Sequence, residues 1–264
     1  MSQFKITTDQ NLAANFARAG VNTVFFDMGG TLAGLNPGYD AVYHRVFQKA
    51  GYDLPLGEVE RAISYSWSIV TEQDETAEYI NTLEGTRAWQ REVEERVMER
   101  LNIHPHVREE IFWGIIQAFE DPATYQLYPD ALATLETLKQ AGYRLAIISN
   151  WSWHLPELCE TLGLTPYFEQ IFTSARLGYA KPHPAIFKSA LAGLNVTPEE
   201  AIHIGDSYRA DILGASRAGI QPLWLLRPED KPLYNDGPNE RKTPAEVRVI
   251  RGLREVVDYL GIEL

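Results

Sequence analysis

The amino-acid sequence predicts an α/β protein: a doubly wound parallel sheet interrupted by an inserted block of α-helices. Three observations predict it. From residue 129 to residue 226, short apolar runs alternate with helix-length amphipathic segments, and glycines close several of the helical ones. Residues 36–120 abandon this rhythm for long charged stretches of helical periodicity. The first apolar run, Val24, Phe25 and Phe26, ends at Asp27 and passes into Met28, Gly29, Gly30, Thr31 and Leu32. A carboxylate therefore stands at the carboxyl end of a buried strand, which is where ligands bind in an open α/β sheet.

Taken in order, residues 8–18 are weakly helical and end at Gly20, and residues 22–26 form the first strand. The helical block is bracketed by turn chemistry, Asn36, Pro37 and Gly38 before it and Asp121 and Pro122 after it. Within it, residues 86–101 and 107–119 carry the clearest helical period. The βα rhythm then resumes with helices at 129–141, 153–162, 184–194 and 208–218, and strands at 144–148, 170–173, 201–204 and 222–226. Thr197, Pro198, Glu199 and Glu200 read as a helix start. Residues 227–243 are a Pro- and charge-rich loop, followed by a last strand at 247–250 and a helix at 253–260. Alternating strands and helices imply parallel pairing with right-handed crossovers. The expected division is a core of residues 1–35 and 121–264, with residues 36–120 as a separate helical unit.

Composition narrows the functional classes. The 264 residues are 45% hydrophobic, enough for one sizeable core and a smaller appended unit. A formal charge of −12 repels polyanions, so neither nucleic acid nor a membrane surface is an expected partner. No apolar stretch has the length of a membrane span, and residues 1–20 lack the apolar run of an export signal. Cys159, the single cysteine, fits a reducing cytoplasm and reads as a buried small hydrophobe. The expected location is cytoplasmic.

Three further segments join the Asp27 turn. Residues 145–150 form a strand delivering Ser149 and Asn150 at its end. Residues 178–184 form a loop carrying Lys181 and His183 ahead of a helix. Residues 201–211 form a strand ending in Gly205, Asp206 and Ser207, with Asp211 five places beyond Asp206. The ordered set Asp, Ser, Lys, paired Asp resembles the haloacid dehalogenase-like hydrolase superfamily at all four of its motifs, over roughly residues 21–226. The first and fourth motifs are specific; Ser149 and Lys181 gain meaning only beside them.

The resemblance implies a Rossmann-like core, a helical cap between the first two motifs, and an aspartate that attacks a phosphate ester with Mg²⁺ bound. Asp27 is then the nucleophile. Asp27, the backbone carbonyl of Gly29 and Asp206 are the implied metal ligands. Asp211 supports them by holding a metal-bound water or the lysine. Ser149 donates its hydroxyl to a phosphate oxygen, the backbone amides of Asn150 and near Gly30 extend that cradle, and Thr31 binds backbone or phosphate. Lys181 pairs with both the phosphate and Asp27. His183 reads as a helix-entry residue and His203 as a satisfied core histidine.

One position departs from the pattern. Phosphatases of the family carry an aspartate two residues after the nucleophile, where this chain has Gly29. The carbonyl survives that change and the proton-transfer carboxylate does not, a loss worth ~10²–10⁴-fold in general acid–base catalysis. His44, Glu78 and Glu84 are possible replacements in the helical block, and the sequence does not choose among them. A good leaving group, such as an acyl or aryl phosphate, would remove the need for one, and a weak or retired enzyme is the third reading. The expected activity is Mg²⁺-dependent hydrolysis of a small phosphorylated metabolite. A phosphonatase-like reaction ranks lower because Lys49 is the one lysine in the insertion. Metal-free dehalogenation ranks lowest, since it has no use for the extra carboxylates. A non-catalytic phosphate-binding protein of the same fold is the alternative from another class.

Overall fold

The computed structural model describes residues 20–73, 80–227 and 247–262. The weak helix expected at 8–18, Glu78 and most of the 227–243 loop lie outside them. Eight strands are described: β1 (Thr23–Phe26), β2 (Ala33–Leu35), β3 (Tyr125–Leu127), β4 (Arg144–Ser149), β5 (Gln170–Thr173), β6 (Ala201–Gly205), β7 (Gln221–Leu225) and β8 (Arg248–Ile250). Six form one sheet in the order β5-β4-β1-β6-β7-β8, with every pair parallel.

β1 is central because it is apolar on both sides. Val24 and Phe26 face one layer, packing with Ile147, Ile204 and Leu223. Phe25 faces the other, packing with Ile148, Ile186 and Phe187. All four residues of β1 are fully buried, as a parallel strand covered on both faces must be. Helices Ala131–Gln140 and Arg254–Tyr259 cover the first face, and Pro184–Leu194 covers the second. This is the Rossmann-like, doubly wound architecture predicted from the sequence. Chain order reverses across β1, whose neighbours are β4 and β6, so the crevice for a ligand lies at the carboxyl ends of these three strands.

Between β2 and β3 the described residues form four α-helices, Tyr39–Lys49, Leu56–Gln73, Leu83–Arg100 and Pro105–Glu120. They have an apolar interior of their own, built around Tyr43, Phe47, Val97, Ile111 and Phe112. β2 and β3 pair antiparallel as a two-stranded stem where this segment leaves and rejoins the sheet layer. Sequence periodicity did not reveal the stem, since three residues are too few to show alternation. Among the described residues no helix is long and apolar enough to cross a membrane.

A second difference concerns residues 208–218, expected as one helix. Residues Tyr208–Leu213 form a π-helical turn, and only Gly214–Arg217 is α-helical. The wider turn carries Asp211 inward, where its carboxylate accepts from the Ser207 amide at 3.1 Å. Insertions of this type concentrate at functional sites.

Candidate functional site

Strand ends deliver the site. Asp27 leaves β1 with its amide donating to the Ile204 carbonyl at 2.8 Å, which ties the end of β1 to β6. Ser149 is the last residue of β4, and its hydroxyl donates to Asp27 Oδ1 at 2.8 Å. Asp206 follows β6, its carbonyl held by Trp224 Nε1 at 2.8 Å. Lys181 comes from the loop after β5 and reaches inward between the two acidic motifs.

The lysine is the hub. Lys181 Nζ donates to Asp27 Oδ1 at 2.6 Å, to Asp211 Oδ1 at 2.6 Å and to the Ile148 carbonyl at 2.8 Å, so its three protons all have acceptors. The residue is 3% exposed. Burial works against its charge, but the two carboxylates outweigh burial and raise its pKa. Asn150 fixes the backbone at this point: its Oδ1 accepts from the Lys181 amide at 2.6 Å, and its Nδ2 donates to the Lys181 carbonyl at 2.8 Å. The Asn150 side chain therefore serves the lysine, a task not foreseen from sequence.

Asp211 is fully buried and completely used. Oδ1 accepts from Lys181 and pairs with His203 Nε2 at 2.8 Å, while Oδ2 accepts from Ser207 N. Burial would raise its pKa, and the Lys181 ammonium with His203 overcomes that to hold it at about 2. Of the two supporting tasks expected of Asp211, it performs the holding of the lysine. His203 is thus more than core filling: its Nε2 contacts Asp211, while its buried Nδ1 has no partner among the described residues. Sequence reasoning missed this because His203 sits inside an apolar strand, and nothing local shows that Asp211, eight residues later, folds back onto it.

Two glycines make room for the acidic groups. Gly30 has φ +71°, and a Cβ there would lie 2.3 Å from Asp206 Oδ2. A side chain is excluded both by backbone conformation and by the carboxylate. A Cβ at Gly205 would lie 2.1 Å from Asp211 Cγ. The Gly30 amide donates to the Ala33 carbonyl at 3.0 Å, so the phosphate contact expected of it is replaced by a turn. Thr31 is buried with Oγ1 unpartnered among the described residues, and its carbonyl accepts from Arg227 at 3.0 Å. Its hydroxyl therefore binds no backbone group, contrary to one of the two expectations.

Carboxylate oxygens of Asp27, Asp206 and Asp211 lie within 4.8 Å of one another. Burial raises the pKa of Asp27, with Asp211 adding to the shift and Lys181 opposing it. Burial followed by the charges of Asp27 and Asp211 raises Asp206 well above the ordinary carboxylate range. One ammonium does not balance three acids, and two of them are held at a proton-attracting potential that a hard divalent cation also satisfies. Oxygen donors of this kind fit Mg²⁺.

Of the remaining residues, His183 caps helix Pro184–Leu194 by accepting from Ala185 N at 3.1 Å, in agreement with its reading as a helix-entry residue. Cys159 is free and buried. His44 is half-buried on helix Tyr39–Lys49 and Glu84 is exposed in the first turn of Leu83–Arg100. Over Gly29 itself stands the indole of Trp151, a neighbour the sequence did not announce.

Comparison with known proteins follows the same lines. The family model for haloacid dehalogenase-like hydrolase matches residues 21–219. Haloacid dehalogenase-like hydrolase domain-containing protein 3 of Bos taurus is 35% identical over 144 residues, 54% of this chain and 56% of the relative. Phosphoserine phosphatase of Thermus thermophilus is 34% identical over 156 residues, 56% of this chain and 61% of the relative. The chain thus spans a little over half the length of these two curated relatives. The crystal structure of a HAD phosphatase from Thermococcus onnurineus shares the fold, with TM-score 0.60 at 24% identity over 92% of this chain and 99% of that one.

Proposed function

The chain belongs to the haloacid dehalogenase-like hydrolases, and from that premise we propose that it is a Mg²⁺-dependent phosphatase of small phosphorylated metabolites, with Asp27 as nucleophile. The convergence of Asp27, Ser149, Lys181 and Asp206 at the ends of β1, β4 and β6 carries this reading. The phosphatase named among the relatives supports it.

In this reading Asp27, Asp206 and the Gly29 carbonyl hold the cation, which supplies charge neutralisation at the phosphoryl oxygens. Lys181 offsets repulsion between the Asp27 carboxylate and the incoming phosphate, and the pull of Asp211 keeps it charged and stationary. Ser149 turns its hydroxyl from Asp27 to a phosphate oxygen, and the unpartnered Thr31 hydroxyl and the Asn150 amide extend the cradle. An Asp27 oxygen attacks phosphorus, the bond to the leaving oxygen breaks, and water then hydrolyses the aspartyl-phosphate. The four helices of residues 36–120 act as the cap that excludes water and selects the substrate. A phosphonatase-like route is disfavoured because Lys49 is exposed at the end of its helix, without the desolvation that an amine nucleophile needs.

The test uses p-nitrophenyl phosphate with Mg²⁺, with and without chelator, on the wild type and Asp27→Asn. Turnover that requires the metal and falls at least ~10³-fold in Asp27→Asn is expected. No turnover in the wild type favours a phosphate-binding protein, and turnover untouched by Asp27→Asn removes Asp27 as nucleophile.

A further inference from the structure

Gly29 and Gly30 are adjacent glycines that are crowded in different ways. Gly30 lies in the left-handed region, whereas Gly29 does not. The Gly29 backbone therefore accepts an L-residue, and its surroundings are tight: a Cβ there would meet Trp151 Cζ3 at 3.1 Å and Cη2 at 3.9 Å. An aspartate would carry three more heavy atoms towards the same space.

The Trp151 backbone is held in place, and its ring has an aromatic neighbour. Trp151 N donates to Ser174 Oγ at 3.1 Å, and its carbonyl accepts from Thr173 Oγ1 at 2.8 Å and Ser174 Oγ at 3.3 Å. Its ring lies against Tyr125, with centroids 5.4 Å apart and planes inclined at 49°. Tyr125 is itself held by donating to the Phe119 carbonyl at 2.9 Å. Trp151 remains half-buried and also lines a cavity of about 230 Å³ beside Phe119, Glu120 and His154. An apolar edge thus stands over Gly29, two residues after the nucleophile, where a proton donor would serve a departing oxygen.

Resting on the phosphatase reading above, we propose that Trp151 is a specificity-determining residue that takes the place of the proton-transfer carboxylate and selects phosphates whose leaving group is a planar, resonance-stabilised oxyanion, such as an aryl or acyl phosphate. Both halves of the selection come from one side chain. An indole has no titratable proton, so the leaving oxygen departs with its electron pair as an anion and must be stable as one. Its apolar edge favours a flat, unsaturated group, a contact worth up to about tenfold in binding. Asp27 forms the new bond to phosphorus as the P–O bond to the leaving group breaks. Water then supplies the oxygen and the protons that end in inorganic phosphate.

The experiment compares p-nitrophenyl phosphate with glycerol phosphate on the wild type, Trp151→Ala, Trp151→Phe, Gly29→Asp and Gly29→Asp/Trp151→Ala. The wild type should prefer the aryl substrate by ~10²-fold or more in kcat/KM. Trp151→Ala should raise KM for the aryl substrate and lower the aryl-to-alkyl ratio of kcat/KM by about tenfold, and Trp151→Phe should restore most of the difference. Gly29→Asp alone should gain nothing on glycerol phosphate, while the double variant should exceed it at least ~10-fold. An aryl-to-alkyl ratio unmoved in Trp151→Ala overturns the proposal, even if the Gly29 variants fail to fold. So does Gly29→Asp matching the double variant. A wild type that hydrolyses neither substrate strikes instead at the phosphatase reading on which the proposal rests.

Discussion

Two regions of the molecule bury acidic side chains, and they treat them in opposite ways. At the carboxyl ends of the sheet, Asp27 and Asp211 share the Lys181 ammonium at 2.6 Å each. Within the helices of residues 36–120, Glu94 is 6% exposed and accepts from Tyr43 Oη at 2.6 Å, while Oε2 has no partner among the described residues. Burial, opposed only by the Tyr43 hydrogen bond, pushes the Glu94 pKa up to about 8. Asp211, just as buried, is held at about 2. Burial alone therefore does not decide protonation; the countercharge does. At the sheet the countercharge of Lys181 with His203 wins for Asp211 alone, while burial still raises Asp27 and Asp206, as it raises Glu94 among the aromatic rings of the helices.

The largest effect expected on the sheet side comes from what it lacks. Gly29 supplies no base for hydrolysis of the aspartyl-phosphate, so the second step should be ~10²–10⁴-fold slower than the site could otherwise support. Rapid-mixing kinetics should show a burst of first product followed by a slow steady state. A linear progress curve would mean that another residue supplies the base.

Lys181→Met strikes the paired charges next. It leaves two buried carboxylates without their cation, which should cost about 3–5 kcal/mol of stability and ~10²–10³-fold in kcat/KM. Denaturant midpoints and phosphatase rates check both figures. A stable, active variant would show that Lys181 is not what holds the Asp211 pKa down against burial. His203→Phe is milder, removing one of the contacts to Asp211 while Lys181 and Ser207 remain. A loss of about tenfold in kcat/KM with little change in KM is expected.

Which parts of this were legible in the sequence follows from the range of the forces involved. β1 and β4 could be read because local apolar runs encode them. Asp27, Ser149, Lys181 and Asp206 could be read because each ends a strand or occupies a loop in a recognisable order. The contacts that tune them could not. Asn150 grips a backbone 31 residues away, and Trp151 fills space over a residue 122 positions earlier. The glycines were legible as punctuation but not as the sockets that admit Asp206 and Asp211. The π-helical turn at Tyr208 carries Asp211, whose contacts to Lys181 and His203 no local propensity states.

The last effect isolates the helical side. Glu94 keeps its proton in the folded protein up to pH about 8, while the unfolded chain releases it near the ordinary value of 4.5. Between those values the folded state binds more protons than the unfolded one, so stability must fall as pH rises and level off above about 8. The slope cannot exceed about 1.4 kcal/mol per pH unit from a single group. Glu94→Gln mimics the protonated acid at every pH and keeps an oxygen for the Tyr43 hydroxyl. Its stability relative to the wild type should therefore grow between pH 5 and pH 8, by on the order of 1–3 kcal/mol once solvent relaxation is allowed for. Urea midpoints at pH 5, 6.5 and 8 measure this directly. Parallel curves for the two proteins would show that Glu94 is ionised in the fold, and that the helical unit holds a countercharge for it after all.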